Sequence, residues 1–164
     1  MKTIVVYQSE TGFTAKYAGW IAEKLNCEAV ELKKAKLDTL AEYDRVIYGG
    51  WIFAGQISGY DKIKPLNLPD VIVFGVGMSK ASTETAAQIA ETNGVAKDHC
   101  FYFEGGYAPE KLGFVKKMMV KMISKSVEKK ENKTEEDLFM LSQMNGKDCT
   151  NPAAIEPLVQ LCAE

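Results

Sequence analysis

Apolar residues recur along this chain in two alternating rhythms. Thr3–Tyr7 is a short run rich in Val and Ile, the pattern of a strand covered on both faces. After it, Tyr17, Ile21 and Leu25 recur at every fourth residue with Ala18 and Ala22 beside them, which predicts a helix over Phe13–Leu25. Short strands are read at Glu28–Leu32 and at Asp44–Tyr48, the latter running into Gly49-Gly50. Pro65 and Pro69 punctuate the approach to a fourth strand, Val71–Val76, which ends at Gly77. Ser82 reads as the N-cap of a helix that has Glu84 in its first turn, runs to Thr92 and stops at Asn93-Gly94. Cys100–Phe103 is a fifth strand, ending in Glu104-Gly105-Gly106. Pro109 opens a helix expected from Glu110 to about Val127. A polar stretch, Glu128–Asp137, precedes a helical segment, Leu138–Met144, that stops at Gly146, and a last helix is read from Pro152 to Leu161.

Five strands separated by helices predict an α/β fold, a five-stranded parallel sheet with helices on both faces, in one domain over residues 1–164. Right-handed crossovers leave few topologies. Strands one, three, four and five each run into glycine- or hydroxyl-rich sequence, and ligands of open α/β sheets gather at that carboxyl rim.

The turn after the first strand, Gln8-Ser9-Glu10-Thr11-Gly12-Phe13-Thr14, has the chemistry of a phosphate site. A helix start carries unpaired amides and a partial positive charge. Ser9, Thr11 and Thr14 add hydroxyls, and Gly12 lets the backbone approach an anion. The turn lacks both Gly-x-x-x-x-Gly-Lys-Ser/Thr and Gly-x-Gly-x-x-Gly, so a phosphate monoester fits it better than a triphosphate or a dinucleotide. Hydroxyls before a helix are also ordinary caps. Their density here, at the end of a first strand, favours the anion.

After the third strand, glycines flank two aromatic residues in Gly49-Gly50-Trp51-Ile52-Phe53-Ala54-Gly55. Trp51 or Phe53 can stack on a planar ring, or pack into the core beneath the loop. Gly75-Val76-Gly77-Met78 offers backbone donors to the other edge of such a ring, while Glu104-Gly105-Gly106-Tyr107 reads equally as a plain connector.

Composition narrows the chemistry. With 46% hydrophobic and 26% charged residues the chain is an ordinary globular sequence. No apolar run reaches bilayer length and no signal-peptide layout is present, so a cytoplasmic location is expected. Cys27, Cys100, Cys149 and Cys162 form no Cys-x-x-Cys pair, and His99 is the one imidazole; no metal site is expected. Histidine-based catalysis is disfavoured, and no nucleic-acid partner is expected. The net charge of −2 is uneven: Lys111–Lys133 holds eight lysines against Glu128 and Glu131, a local +6 that leaves −8 elsewhere.

The Ser9–Thr14 turn resembles the phosphate loop of flavodoxins, which hold flavin mononucleotide (FMN). The Gly-Gly-Trp-Ile-Phe-Ala-Gly segment resembles the ring loop of flavodoxin-like proteins related to menaquinone-dependent protoporphyrinogen dehydrogenase. The likeness runs from Met1 to Tyr107 and more loosely beyond. It implies the flavodoxin-like sheet order 2-1-3-4-5 and a non-covalent FMN at the carboxyl rim. By position, Ser9, Thr11, Gly12, Phe13 and Thr14 would hold the phosphate, with Glu10 contributing its N–H rather than a carboxylate that a dianion repels. Gly50, Trp51, Ile52 and Phe53 would line one side of the ring, with Gly49 and Gly50 near its heteroatoms, and Val76, Gly77 and Met78 the other. Two rivals on the same fold fail. A receiver domain needs an Asp where Tyr48 stands, and a low-molecular-weight phosphatase needs a Cys and an Arg in the loop, whereas Arg45 is the only arginine.

The resemblance implies electron transfer, with a redox partner protein or a quinone as the other party. Its alternative is an FMN-dependent protoporphyrinogen or quinone dehydrogenase, in which Tyr107–Asp148 folds near the flavin and Lys111 meets acidic substrate groups. Lys111–Lys133 departs from the acidic surface implied for carriers. It pairs Leu112, Val115, Met118, Met119, Met122 and Ile123 with lysines spaced by four. The expectation is an outer helix of the sheet sandwich, methionines inward and lysines solvated. Peripheral contact with an anionic membrane, or a partner's groove, is the alternative.

Overall fold

The computed structural model describes every residue from Met1 to Glu164. In chain order its elements are β1 (Thr3–Gln8), α1 (Phe13–Leu25), β2 (Glu28–Glu31), β3 (Arg45–Phe53), β4 (Gln56–Ile57), α2 (Tyr60–Ile63), β5 (Val71–Gly77), α3 (Thr83–Asn93) and β6 (Cys100–Glu104). There follow β7 (Gly106–Tyr107), α4 (Phe114–Glu128), α5 (Glu135–Leu141), β8 (Lys147–Asp148) and α6 (Glu156–Ala163). Five parallel strands form one sheet in the order β2-β1-β3-β5-β6, which counts as 2-1-3-4-5 once the short hairpin strand β4 is set aside. β4 pairs antiparallel with the end of β3, and β7 with β8 as a separate two-stranded ribbon.

Alternation along the central strands sends side chains into two cores. Val5, Ile47, Ile72 and Phe74 pack on Tyr17 and Ile21 of α1 and on Leu158 of α6. Ile4, Val6, Val46, Tyr48 and Val73 pack on the opposite layer with Ile89 and Ala90 of α3. Helices on both faces leave these strands nearly continuous in apolar residues, as a doubly covered parallel sheet requires.

Strand three is longer than the pattern suggests. Gly49-Gly50 reads as its end, yet β3 continues through both to Phe53. The glycines serve as strand interior because a side chain would not fit. A Cβ on Gly49 would stand 2.0 Å from Cζ of Phe74, and one on Gly50 would stand 2.4 Å from the Ser58 carbonyl oxygen. The strand then turns at Ala54-Gly55, both with positive φ, into β4.

The segment after β6 departs most from expectation. Pro109–Lys111 forms a single 3-10 turn, Leu112 is extended, and α4 starts only at Phe114 with Gly113 at its N-cap. α5 begins inside the stretch read as polar. Thr134 Oγ1 accepts from the Asp137 amide at 3.1 Å, and Asp137 accepts from the Thr134 amide at 3.0 Å, a capping box with aspartate in place of glutamate. α4 is not an outer helix of the sandwich with its methionines inward. Its buried residues are Ser124 and Val127, and Met118, Met119 and Met122 are exposed. Arg45 lies at the far end of β3 from the carboxyl rim, its Nε donating to Asp70 at 2.6 Å and its Nη1 to the Cys162 carbonyl at 2.9 Å. All four cysteines are free thiols.

Candidate functional site: a two-part cleft at the carboxyl rim

The turn between β1 and α1 is shaped by Gly12, whose φ of +98° suits glycine. Ser9 Oγ folds back to accept from the Gly12 amide at 3.1 Å, so this hydroxyl serves the turn itself. The amides of Glu10, Thr11, Phe13, Thr14 and Ala15 find no acceptor in the chain. That cluster of free donors at the start of a 13-residue helix is a ready cradle for an anion.

A polar basin opens beside it, lined by Thr11, Gly12, Phe13, Lys16, Lys111 and Lys147 among others. Lys16 pairs with Asp148, tying α1 to β8. Burial alone would raise the Asp148 pKa, but hydrogen bonds from Lys16 and Thr150 outweigh it and hold the carboxyl below its ordinary value. Tyr17 fastens the same corner. Its hydroxyl donates to the Glu104 carbonyl at 2.6 Å and accepts from the Asn151 amide at 3.1 Å, and burial raises its pKa despite that last bond.

An apolar slot continues from the basin through Thr11, Phe13, Tyr107 and Ala108, which line both. One wall is Trp51, Ile52 and Phe53; the other is Val76, Gly77 and Met78. Trp51 and Phe53 belong to neither core; they are half-buried, with ring centroids 6.3 Å apart, so the slot is what they serve. Glu10, Thr14 and Gly105 also reach the slot, whereas Ser9, Gly49 and Gly50 do not. The two β3 glycines lie behind it, where the Phe74 ring and the Ser58 backbone take the space, and so they shape the wall rather than line it.

Side chains outside the expected set position these walls. Asn93, legible in sequence only as a helix terminator, is buried and clamps the β3–β4 hairpin. Its Oδ1 accepts from the Ile57 amide at 2.9 Å, and its Nδ2 donates to the carbonyls of Gly55 at 2.9 Å and Ile89 at 2.8 Å. Tyr102 donates to the Ser79 carbonyl at 2.7 Å, and the fully buried Gln143 donates to the Met78 carbonyl at 2.9 Å, so the loop after β5 is gripped from both sides.

The roof comes from the segment between β7 and β8. Leu112, Lys116 and Val120, four residues apart, close the slot from above. Lys116 Nζ stands 4.1 Å from the Trp51 ring centroid and 2.7 Å from Glu10 Oε2. The ion pair explains how an acidic residue is tolerated in the turn: its carboxylate faces the roof lysine, leaving the amides to an anion. Periodicity in 112–120 was the available signal for the roof, but it does not say which way a helix face turns.

An apolar slot with aromatic walls, joined to a cradle of free amides and lysines, fits a flat ligand with an anionic tail. Tyr107 lines both parts of the cleft, and its buried hydroxyl has no partner in the chain. Fold and cleft together define an α/β protein with a cleft at the carboxyl edge of a parallel sheet, where ligands of open α/β sheets gather. The Flavodoxin domain family model matches residues 4–135, and the chain belongs to that family.

Among solved structures it is similar to a flavodoxin from the domain Archaea, 17% identical over 88% of this chain and 97% of that one, with a TM-score of 0.46. It is also similar to flavodoxin 2 from Bacillus cereus, at 21% identity over 75% and 96% and a TM-score of 0.46. A third likeness is to rubredoxin oxygen:oxidoreductase from Desulfovibrio gigas, at 18% over 74% and 34% and a TM-score of 0.44. Membership rests on the family match and not on these superpositions. No curated protein matches the chain.

Proposed function

We propose that this protein binds FMN in the two-part cleft and transfers electrons. The observation that carries the reading is the junction of a cradle of unpaired amides with an aromatic slot. The amides of Glu10, Thr11, Phe13 and Thr14, with the Thr11 and Thr14 hydroxyls, take the phosphate, and Ser9 and Gly12 hold the turn in shape. Trp51, Ile52 and Phe53 take one side of the ring, and Val76, Gly77 and Met78 the other. The bound flavin supplies the redox chemistry, while the chain orients it, excludes water and sets the local charge. Lys116 and the lysines of the basin put positive charge around the cleft. The other party is a redox partner protein or a quinone.

Titration of the apoprotein with FMN and with riboflavin tests this. Quenching of FMN fluorescence by the apoprotein at micromolar or lower concentration is expected, with riboflavin bound at least on the order of tenfold more weakly because it leaves the cradle empty. Equal affinity for the two, or no uptake of either, overturns the reading.

A second reading, a flavin-dependent dehydrogenase acting on protoporphyrinogen or a quinone, draws on the roof. Leu112, Lys116 and Val120 cover the slot, and Lys111 and Lys147 stand at the basin, within reach of an acidic substrate's carboxylates. FMN-loaded protein that oxidises protoporphyrinogen with a quinone acceptor supports it. Loaded protein that does not, yet is reduced by a ferredoxin-type reductase, is a carrier.

A further inference from the structure

We propose that the outer face of α4 is a docking surface for a membrane carrying anionic lipid headgroups. α4 has two apolar sides. One, with Val120 and Val127, turns toward the chain, alongside Lys116 at the cleft and the buried Ser124. The other carries Phe114, Val115, Met118, Met119, Met122 and Ile123, in two rows spaced by four that form one continuous arc. Their exposures are 77, 69, 47, 39, 67 and 47%, so all six stand open to solvent. A surface helix needs one apolar stripe to hold it to its core. A second stripe of this extent marks an interaction surface.

Charge chooses the occupant. No carboxylate lies between Glu110 and Glu128, while Lys117, Lys121 and Lys125 run along the edge of the arc. Lysines beside Phe, Met and Ile on a 15-residue helix, about 22 Å long, are the make-up of a helix lying in a lipid interface. Lysine is depleted in protein–protein interfaces, and a second copy of α4 would set two lysine rows against each other. Acidic residues gather at the other end, in α5. There Asp137 is held by Lys130 and Thr134, and Glu135 and Glu136 sit beside it. The Phe114–Met122 end therefore leads into the lipid. With α4 lying flat, the cleft is about one helix diameter, ~10 Å, from the headgroups, because Lys116 on the inner side of the same helix touches Trp51. The inference goes beyond the flavin reading and does not depend on it: arc and lysines are the same with or without a cofactor.

Co-sedimentation of the full chain, with and without added FMN, on vesicles of phosphatidylcholine alone and of phosphatidylcholine with phosphatidylglycerol tests it. Binding is expected only to the anionic vesicles, falling as salt is raised. Two substitution pairs, Met118→Asp with Met122→Asp and Lys117→Gln with Lys121→Gln, are each expected to weaken it on the order of tenfold or more. Met118, Lys121 and Met122 are exposed and Lys117 is half-buried, so the melting temperature should hold and lost binding reports lost contact. Four outcomes overturn the proposal. They are protein left in the supernatant with anionic vesicles at low salt, equal binding to neutral vesicles, binding untouched by either pair, and a concentration-dependent dimer that the Asp pair dissolves and vesicles do not displace.

Discussion

The sheet body and the excursion between β7 and β8 contain comparable apolar residues and treat them in opposite ways. In the body, Phe74, Ile47, Ile72 and Tyr48 are fully buried, and even the glycines of β3 are consumed by packing. In the excursion, Phe114, Met118 and Met122 stand in solvent, and α4 is held chiefly by its cleft-side residues. Burial of apolar area is the main source of stability, so the body carries the fold, while the excursion spends its side chains on a roof and an outward face. Stability should therefore reside almost wholly on one side of this division, and properties of the cleft on both.

The sharpest way to break the comparison is to truncate one aromatic from each region. Phe74→Ala is expected to cost about 3–5 kcal/mol in denaturant unfolding, and Phe114→Ala no more than about 0.5 kcal/mol. Similar losses would mean that α4 packs on the body in solution. Gly49→Ala should come next, at about 1–3 kcal/mol, since the added methyl must push the enclosed Phe74 ring aside; an unchanged midpoint would mean that the ring has room to move.

Asn93→Ala sharpens the comparison at the border of body and cleft. It removes two hydrogen bonds that clamp the hairpin and one to Ile89 within α3, and a loss of about 1–3 kcal/mol is expected together with weaker FMN binding. Lost stability with FMN affinity intact would show that the hairpin does not position Trp51 and Phe53.

Acid should act first on the ribbon that closes the excursion. Asp148 has its folded pKa below the unfolded value, so its stabilisation is fully present above the ordinary carboxyl pKa of about 3.9 and vanishes as pH falls through the lower, folded value. Asp148→Asn should melt slightly below the parent near neutral pH, and the gap should narrow as the pH falls below about 5 and close below the lowered, folded pKa. A gap that stays constant would show that the Lys16–Asp148 pair is too solvated to matter. Met118→Ala is the smallest expected effect, near zero on stability at every pH.

Much of the body was legible in the chain. Short apolar runs separated by helical periodicity place β1, β2, β5, β6, α1 and α3 to within a residue or two, because each of those elements buries a face that its own sequence advertises. The candidate cleft was legible as rim segments: Glu10, Thr11, Phe13, Thr14, Trp51, Ile52, Phe53, Val76, Gly77 and Met78 all reach the slot. Gly49 and Gly50 were read as a loop because glycine after a strand usually ends it; only the Phe74 ring and the Ser58 backbone, distant in sequence, make them strand interior. Asn93, Tyr102, Gln143 and Lys116 were not legible as site residues, since each acts on a partner from 23 to 106 positions away, beyond any local pattern.

The chain by itself determined the alternation of strand and helix and the hydroxyl-rich turn at residue ten. Local periodicity and turn chemistry suffice for those, because their partners are near neighbours. Tertiary structure alone decided that residues 108–146 fold back as a roof, that Lys116 meets Trp51 and Glu10, and that the methionines of α4 face outward. An amphipathic helix states which of its sides are apolar; which of them finds a neighbour depends on the rest of the molecule.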